Sequence, residues 1–201
     1  MRIVLLFLFM YSSAAAQEYK KRIEKHREAY KENFINHTSS PLKEEDLKHL
    51  HFFEADSTYS TIAKVEVLAN QKIFNMPTYD GTSKKFIRYA KIKFWLGKTE
   101  LQLTLYKSIT LAANPAYKEL LFLPFTDKTN QKSTYGGGRY IDLSMGDIKN
   151  GELVIDFNKA YNPYCAYSDG YRCPVPPEEN DLPIEISVGE KLYSGEKKHK
   201  F

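Results

Sequence analysis

Between residues 126 and 180 the side chains able to do chemistry crowd together. The segment includes the stretches TYGGGRYIDL (134–143), DFNKAYNPYCAY (156–167) and CPVPPEEN (173–180), and it contains 6 of the chain's 15 tyrosines, at 135, 140, 161, 164, 167 and 171. Arg139 offers a planar, permanently charged fork for an anion. Tyr135 and Tyr161 offer stacking surfaces with a polar tip, and Asn158 and Asn162 offer donors and acceptors. Asp142 and Asp156 are two carboxylates suited to acid–base work or to holding hydroxyls. Gly136-Gly137-Gly138 lets another group approach the backbone closely. A phosphate cradle is a poor fit, because the glycines precede a strand and no Gly-Lys-Ser/Thr follows. A bulge or tight turn is the plainer reading, though the N–H groups beside Arg139 can still meet an anion.

Alternation places these groups. If 138–144 and 152–158 form a hairpin with Tyr140 opposite Asp156, then Arg139, Ile141, Leu143, Leu153, Ile155 and Phe157 share one face. Tyr140, Asp142, Val154, Asp156 and Asn158 share the other, with the two Asp as diagonal neighbours. An arginine on an apolar face needs an internal carboxylate or an anionic ligand, and both readings stay open.

Other motifs carry less. Cys165 and Cys173 are the chain's 2 cysteines, too few for a disulfide scaffold or a four-thiolate zinc site. In an exported chain they are expected to form a disulfide. His49-Leu50-His51 presents two imidazoles on one side of a strand, but no further ligands accompany them and no metal is expected. No G-x-S-x-G nucleophile elbow occurs, and no cofactor is implied.

The elements that must position these residues follow from periodicity. Residues 1–16, MRIVLLFLFMYSSAAA, have the charge, apolar run and Ala-x-Ala ending of a signal peptide. Its removal from 201 residues leaves 185, with no later run long enough to span a bilayer. Residues 17–39 form an N-terminal helix with Tyr19, Ile23, His26, Tyr30 and Phe34 on one stripe. Ser40-Pro41 opens a short helix over 43–47. Strands are expected at 61–67, 87–94, 100–106, 120–123, 140–143, 152–157 and 184–188, separated by turns at Tyr79-Asp80-Gly81, Leu96-Gly97-Lys98 and Asn150-Gly151. The expected fold is therefore mainly β with some helix (α+β): one antiparallel sandwich or barrel over 40–195, the N-terminal helix packed outside, and a solvated basic tail at 196–201. A net charge of +4 with 42% hydrophobic residues argues against a nucleic-acid partner and against disorder.

The stretches LFLPFTDKT (121–129), TYGGGRYIDL, DFNKAYNPYCAY and CPVPPEENDLPIEISVGEK (173–191), with SPLKEEDL (40–47), resemble the bacterial domain-of-unknown-function family numbered 1684. The resemblance implies a bacterial setting and no particular activity. The favoured expectation is an exported protein, periplasmic or extracellular after cleavage, that binds a small polar or anionic ligand through Tyr135, Arg139, Asp142, Asp156, Asn158, Tyr161 and Asn162. The alternatives are a hydrolase using Asp142 or Asp156 with Arg139, and a structural envelope protein whose motif only specifies the fold.

Overall fold

The strongest alternating runs become the strands. In the computed structural model, which describes residues 2–199 and side chains from Ala15 onward, the strands are β1 (Ser60–Val67), β2 (Phe74–Pro77), β3 (Ser83–Leu96), β4 (Thr99–Ser108), β5 (Leu120–Phe125), β6 (Arg139–Ser144) and β7 (Glu152–Asp156). They form one antiparallel sheet in the order β6-β5-β4-β3-β1-β7, with β2 on the first half of β3. β3 is long enough to serve two partners. A bulge at Arg88–Ala90 separates the half that pairs β2 from the half that pairs β1, and such an irregularity sharpens the local twist. The sheet curls into a half-barrel around a core of inward-facing residues, among them Ile92, Phe94, Leu103, Leu123, Ile155 and Phe157.

β4 and β5 are the weakest seam, with a single paired position at Tyr106 and Phe122. Pro124 has no N–H to give. The Asn180 side chain fills the gap like a peptide unit. Its Nδ2 donates to the carbonyls of Thr104 (2.9 Å) and Pro124 (2.7 Å), and its Oδ1 accepts from the Thr104 N–H at 2.8 Å.

The helix α1 (Arg2–Asn36) begins well before the expected start. Tyr19, Ile23 and Phe34 of its stripe are buried, against the turn at 157–159 and the 3-10 helix Glu44–His49. That 3-10 helix replaces the expected helix over 43–47, and Asp46 accepts the Lys43 N–H at its start. The Ala-x-Ala segment therefore sits within a continuous helix. The side chains of residues 2–14 lie outside the described ones, and with them most of the proposed signal segment. No helix among the described residues is long and apolar enough to cross a membrane.

Three expectations need correction. The hairpin of 138–144 with 152–158 does not form, since β6 pairs β5 and β7 pairs β1 at the opposite end of the sheet. The Asn150-Gly151 turn is present, with φ of 53° and 78°, but it closes only the bridge between Lys149 and Glu152. The 3-10 turn Met145–Asp147, capped by Ser144 and Asp147, ends β6 before a ladder can grow. The run 184–188 is buried at Ile186 and Val188 but is not a strand. β2 went unrecognised, being only 4 residues long and ending in proline. The basic tail is tied down as far as His199. Lys197 and His199 pair with Asp169 at 2.6 and 2.8 Å, and Lys198 pairs with Asp46.

Candidate functional site

The motif residues divide into those that hold the fold and those that reach a surface. Arg139 belongs to the first group. Its strand turns it inward, as alternation requires, and its side chain has no exposure. The guanidinium meets Asp127 at 2.8 Å and donates to the carbonyls of Ile186 (2.8 Å), Val188 (2.5 Å) and Glu190 (3.3 Å). Asp127 also accepts from Thr129 and from the Ile186 N–H. The charge is thus answered internally, and Arg139 is no ligand contact. It ties β6 to the irregular segment 186–190. That segment is not a strand because the carbonyls of Ile186, Val188 and Glu190 are turned toward the guanidinium.

Asn158 and Asn162 are also buried. Asn158 accepts the Asp56 N–H (2.8 Å) and donates to the Asp56 carbonyl (2.8 Å), to Tyr19 Oη and to Asp156. Asn162 donates from its side chain to the Lys191 carbonyl and from its backbone to Glu190. Tyr135 is half-buried, with its phenol 3.5 Å from the Cys165 carbonyl. Gly138 takes φ +83°, and Gly137 supplies the carbonyl that accepts from Tyr79 Oη at 2.6 Å. The glycine run is a tight turn into β6 and not an anion cradle. None of these residues lines the open cleft that Asp142 and Asp156 share.

Glu190 is a buried group absent from the expected site. Its carboxylate is fully enclosed and accepts from Tyr30 (3.0 Å), Tyr167 (2.6 Å) and the Asn162 N–H (2.9 Å). Burial pushes its carboxyl up to about 7, against those three hydrogen bonds. No periodicity signal exposes such a residue, because Gly189-Glu190-Lys191 reads as an ordinary polar turn.

Cys165 and Cys173 are together but unbonded. They are two buried thiols, with the Cys165 N–H donating to Cys173 Sγ at 3.2 Å. Their mutual hydrogen bond pulls Cys165 below the ordinary thiol range and pushes Cys173 above it. The expected disulfide is thus not formed in this structure. His49 and His51 both turn toward Ser194 Oγ, at 3.4 and 2.9 Å. Among the described residues no cluster of His, Cys, Asp or Glu is arranged to hold a metal.

Two of the motif's carboxylates reach a cleft of about 620 Å³ where the curled sheet stops short of closing. α1 forms one wall with Tyr19, Arg22 and His26. β6 contributes Asp142, and β7 and the turn after it contribute Asp156 and Lys159. The two carboxylates expected as hairpin neighbours therefore do share a site, from opposite edges of the sheet. Asp156 Oδ1 accepts from Tyr19 Oη (2.9 Å) and from the backbone and side-chain nitrogens of Asn158 (each 3.0 Å). Asp142 is open to the cleft and accepts one bond, from Tyr161 at 2.8 Å. The protein crowded around it pushes its carboxyl up, against the pull of that bond. Desolvation first, and then Lys159, push the His26 imidazole down. Arg22, His26 and Lys159 were not among the expected site residues. The Tyr19–His26 stripe pointed to this side of the helix, but nothing local showed what it would face.

The comparison with protein families now bears on this geometry. Residues 45–191 match the family model described as protein of unknown function (DUF1684). The chain belongs to the DUF1684 family. The match takes in all the strands of the sheet, the glycine turn, Arg139 and Glu190. It leaves α1, and with it one wall of the cleft, outside. This DUF1684 chain is also similar to an uncharacterized protein from Haloarcula marismortui, known from a solution NMR structure. The two are 30% identical, with a TM-score of 0.67, over 89% of this chain and 96% of the other. No curated protein matches the chain.

Proposed function

We propose that this DUF1684 protein is a binding module whose ligand, a small polar molecule, occupies the cleft between α1 and the β6 and β7 edges. The observation that carries the reading is the convergence there of Asp142, Asp156, His26, Arg22 and Lys159, from α1, β6, β7 and the turn after it, around one open volume. Small-molecule sites favour such concavities, with a few polar groups aimed inward. The motif's internal pairing accounts for Arg139, Asn158 and Asn162 without a ligand. A panel of polar metabolites is screened by thermal shift against the wild type, Asp142→Asn and Lys159→Ala. At least one compound is expected to stabilise the wild type and to lose its effect in both variants. A panel whose hits survive both substitutions rules the cleft out.

A second reading, a hydrolase, rests on two carboxylates, Asp142 and Asp156, that line the same cleft from opposite edges of the sheet, with burial pushing the Asp142 carboxyl up. It requires turnover that Asp142→Asn abolishes while binding persists.

We further propose that the chain is exported, with cleavage after Ala16, and that Cys165 and Cys173 then oxidise to a disulfide. The sequence of residues 1–16 and the contact between the two thiols support this. Intact mass of the exported protein is expected to match residues 17–201, with no titratable thiol after denaturation. Two titratable thiols sink the disulfide.

A further inference from the structure

The cleft holds charges of both signs that do not pair with each other. Arg22, Lys149 and Lys159 line it together with Asp142, Asp147 and Asp156. None of the six takes part in any ion pair among the described residues, whereas side chains elsewhere on the surface, down to Lys197 and His199 in the tail, find partners. Two of the three carboxylates are already engaged. Asp147 caps the N–H of Ser144 at 2.8 Å, and Asp156 Oδ1 takes three hydrogen bonds. Asp142 keeps one oxygen, Oδ1, without a partner among the described residues, and no cation reaches it. On the cationic side, Lys159 and Arg22, with Lys149, supply the positive side chains that line the cleft, while desolvation first and then Lys159 push the His26 imidazole down.

A neutral ligand would leave both signs unanswered. A simple anion would face Asp142, and a simple cation would face Lys159 and Arg22. A dipolar ligand satisfies both ends with charge-assisted hydrogen bonds, roughly twice as strong as neutral ones. We propose that the ligand is a small zwitterion, a free amino acid or short peptide, with its ammonium on Asp142 and its carboxylate at Lys159 and Arg22. This rests on the cleft being the binding site.

The test uses isothermal titration of the mature protein with each proteinogenic L-amino acid and with L-alanyl-L-alanine. Each hit is then repeated as its C-terminal amide and as its N-acetyl form. The free zwitterion is expected to bind at least about tenfold more tightly than either blocked form. Asp142→Asn should erase the advantage over the N-acetyl form, and Arg22→Ala with Lys159→Ala should erase the advantage over the amide. Urea midpoints check that the variants fold. Equal binding of the free and either blocked form overturns the assignment, as does an absence of binding across these probes. If the probes fail while another polar compound binds and is lost in Asp142→Asn, the zwitterion falls and the cleft stands. If nothing binds there, both fall.

Discussion

Arg139 shows how far a single residue can be read. Alternation with Ile141 and Leu143 placed it on the apolar face, which fixed its need for a partner. Its set of partners was out of reach of local reading, because Asp127 lies 12 positions back beyond the end of β5 and the carbonyls lie 47 to 51 positions along the chain. Removing one member of a buried pair leaves the other charge stranded. Arg139→Ala is therefore expected to cost about 3–5 kcal/mol of stability, read from urea unfolding; a change below about 1 kcal/mol would contradict the buried pair. The glycine turn supplies a second residue-scale contrast. A Cβ on Gly138 would lie 2.6 Å from the Phe125 carbonyl oxygen, at a φ of +83° that side chains rarely adopt. A Cβ on Gly137 would meet the ends of the Tyr135 and Tyr79 side chains, which can move aside. Gly138→Ala should lower the melting temperature more than Gly137→Ala, by an amount matching about 1–3 kcal/mol of backbone strain.

At the scale of elements, α1 is held to the β domain by a polar clasp as well as by its apolar stripe. Tyr30 donates to Glu190, which also receives Tyr167 and the Asn162 N–H. Glu190 titrates near 7 in the folded protein against an ordinary value of 4.5. The folded state thus holds a proton that the unfolded chain has released, so stability falls as pH rises from about 4.5 through 7 and levels off above. The difference in unfolding free energy between the wild type and Glu190→Gln isolates this group from the surface carboxylates. That difference is expected to shift against the wild type by about 3 kcal/mol between pH 4.5 and 8, measured by chemical denaturation; a flat difference would show that Glu190 stays ionised throughout. The amphipathic stripe made this helix legible. Glu190 was not, because it lies outside any periodic element and its burial depends on a helix some 160 positions away.

The whole molecule is a half-barrel whose two free edges are bridged by a helix and by side-chain clasps. Oxidation of Cys165 and Cys173 would add a covalent clip over a short loop next to this assembly. The oxidised protein should be more stable than the same protein in reductant by about 2–3 kcal/mol, seen as a shift of the urea midpoint; identical midpoints would mean that the thiols stay free. The curl of the sheet also explains the site. Asp142 and Asp156 come together because the edges turn toward each other and not because their strands pair.

Period-two alternation was enough to settle, for β6 and β7 separately, that Ile141, Leu153, Ile155 and the inward Arg139 face the core, because the parity of side chains is a property of one strand. The 3.6-residue stripe marked α1, and turn residues marked the turns at Gly97 and Asn150-Gly151. Which strand lies beside which is a choice among many long-range pairings of similar local quality. It was decided by how the whole apolar surface is buried, with the bulge in β3, the Ser144–Asp147 cap and the Asn180 splice directing the chain. The motif's chemistry was visible as residue types, but its division into internal clasp and open cleft depended on exposure, which no single segment carries. The sequence thus specified the faces, and the tertiary structure determined which of those faces meet and which one is left open.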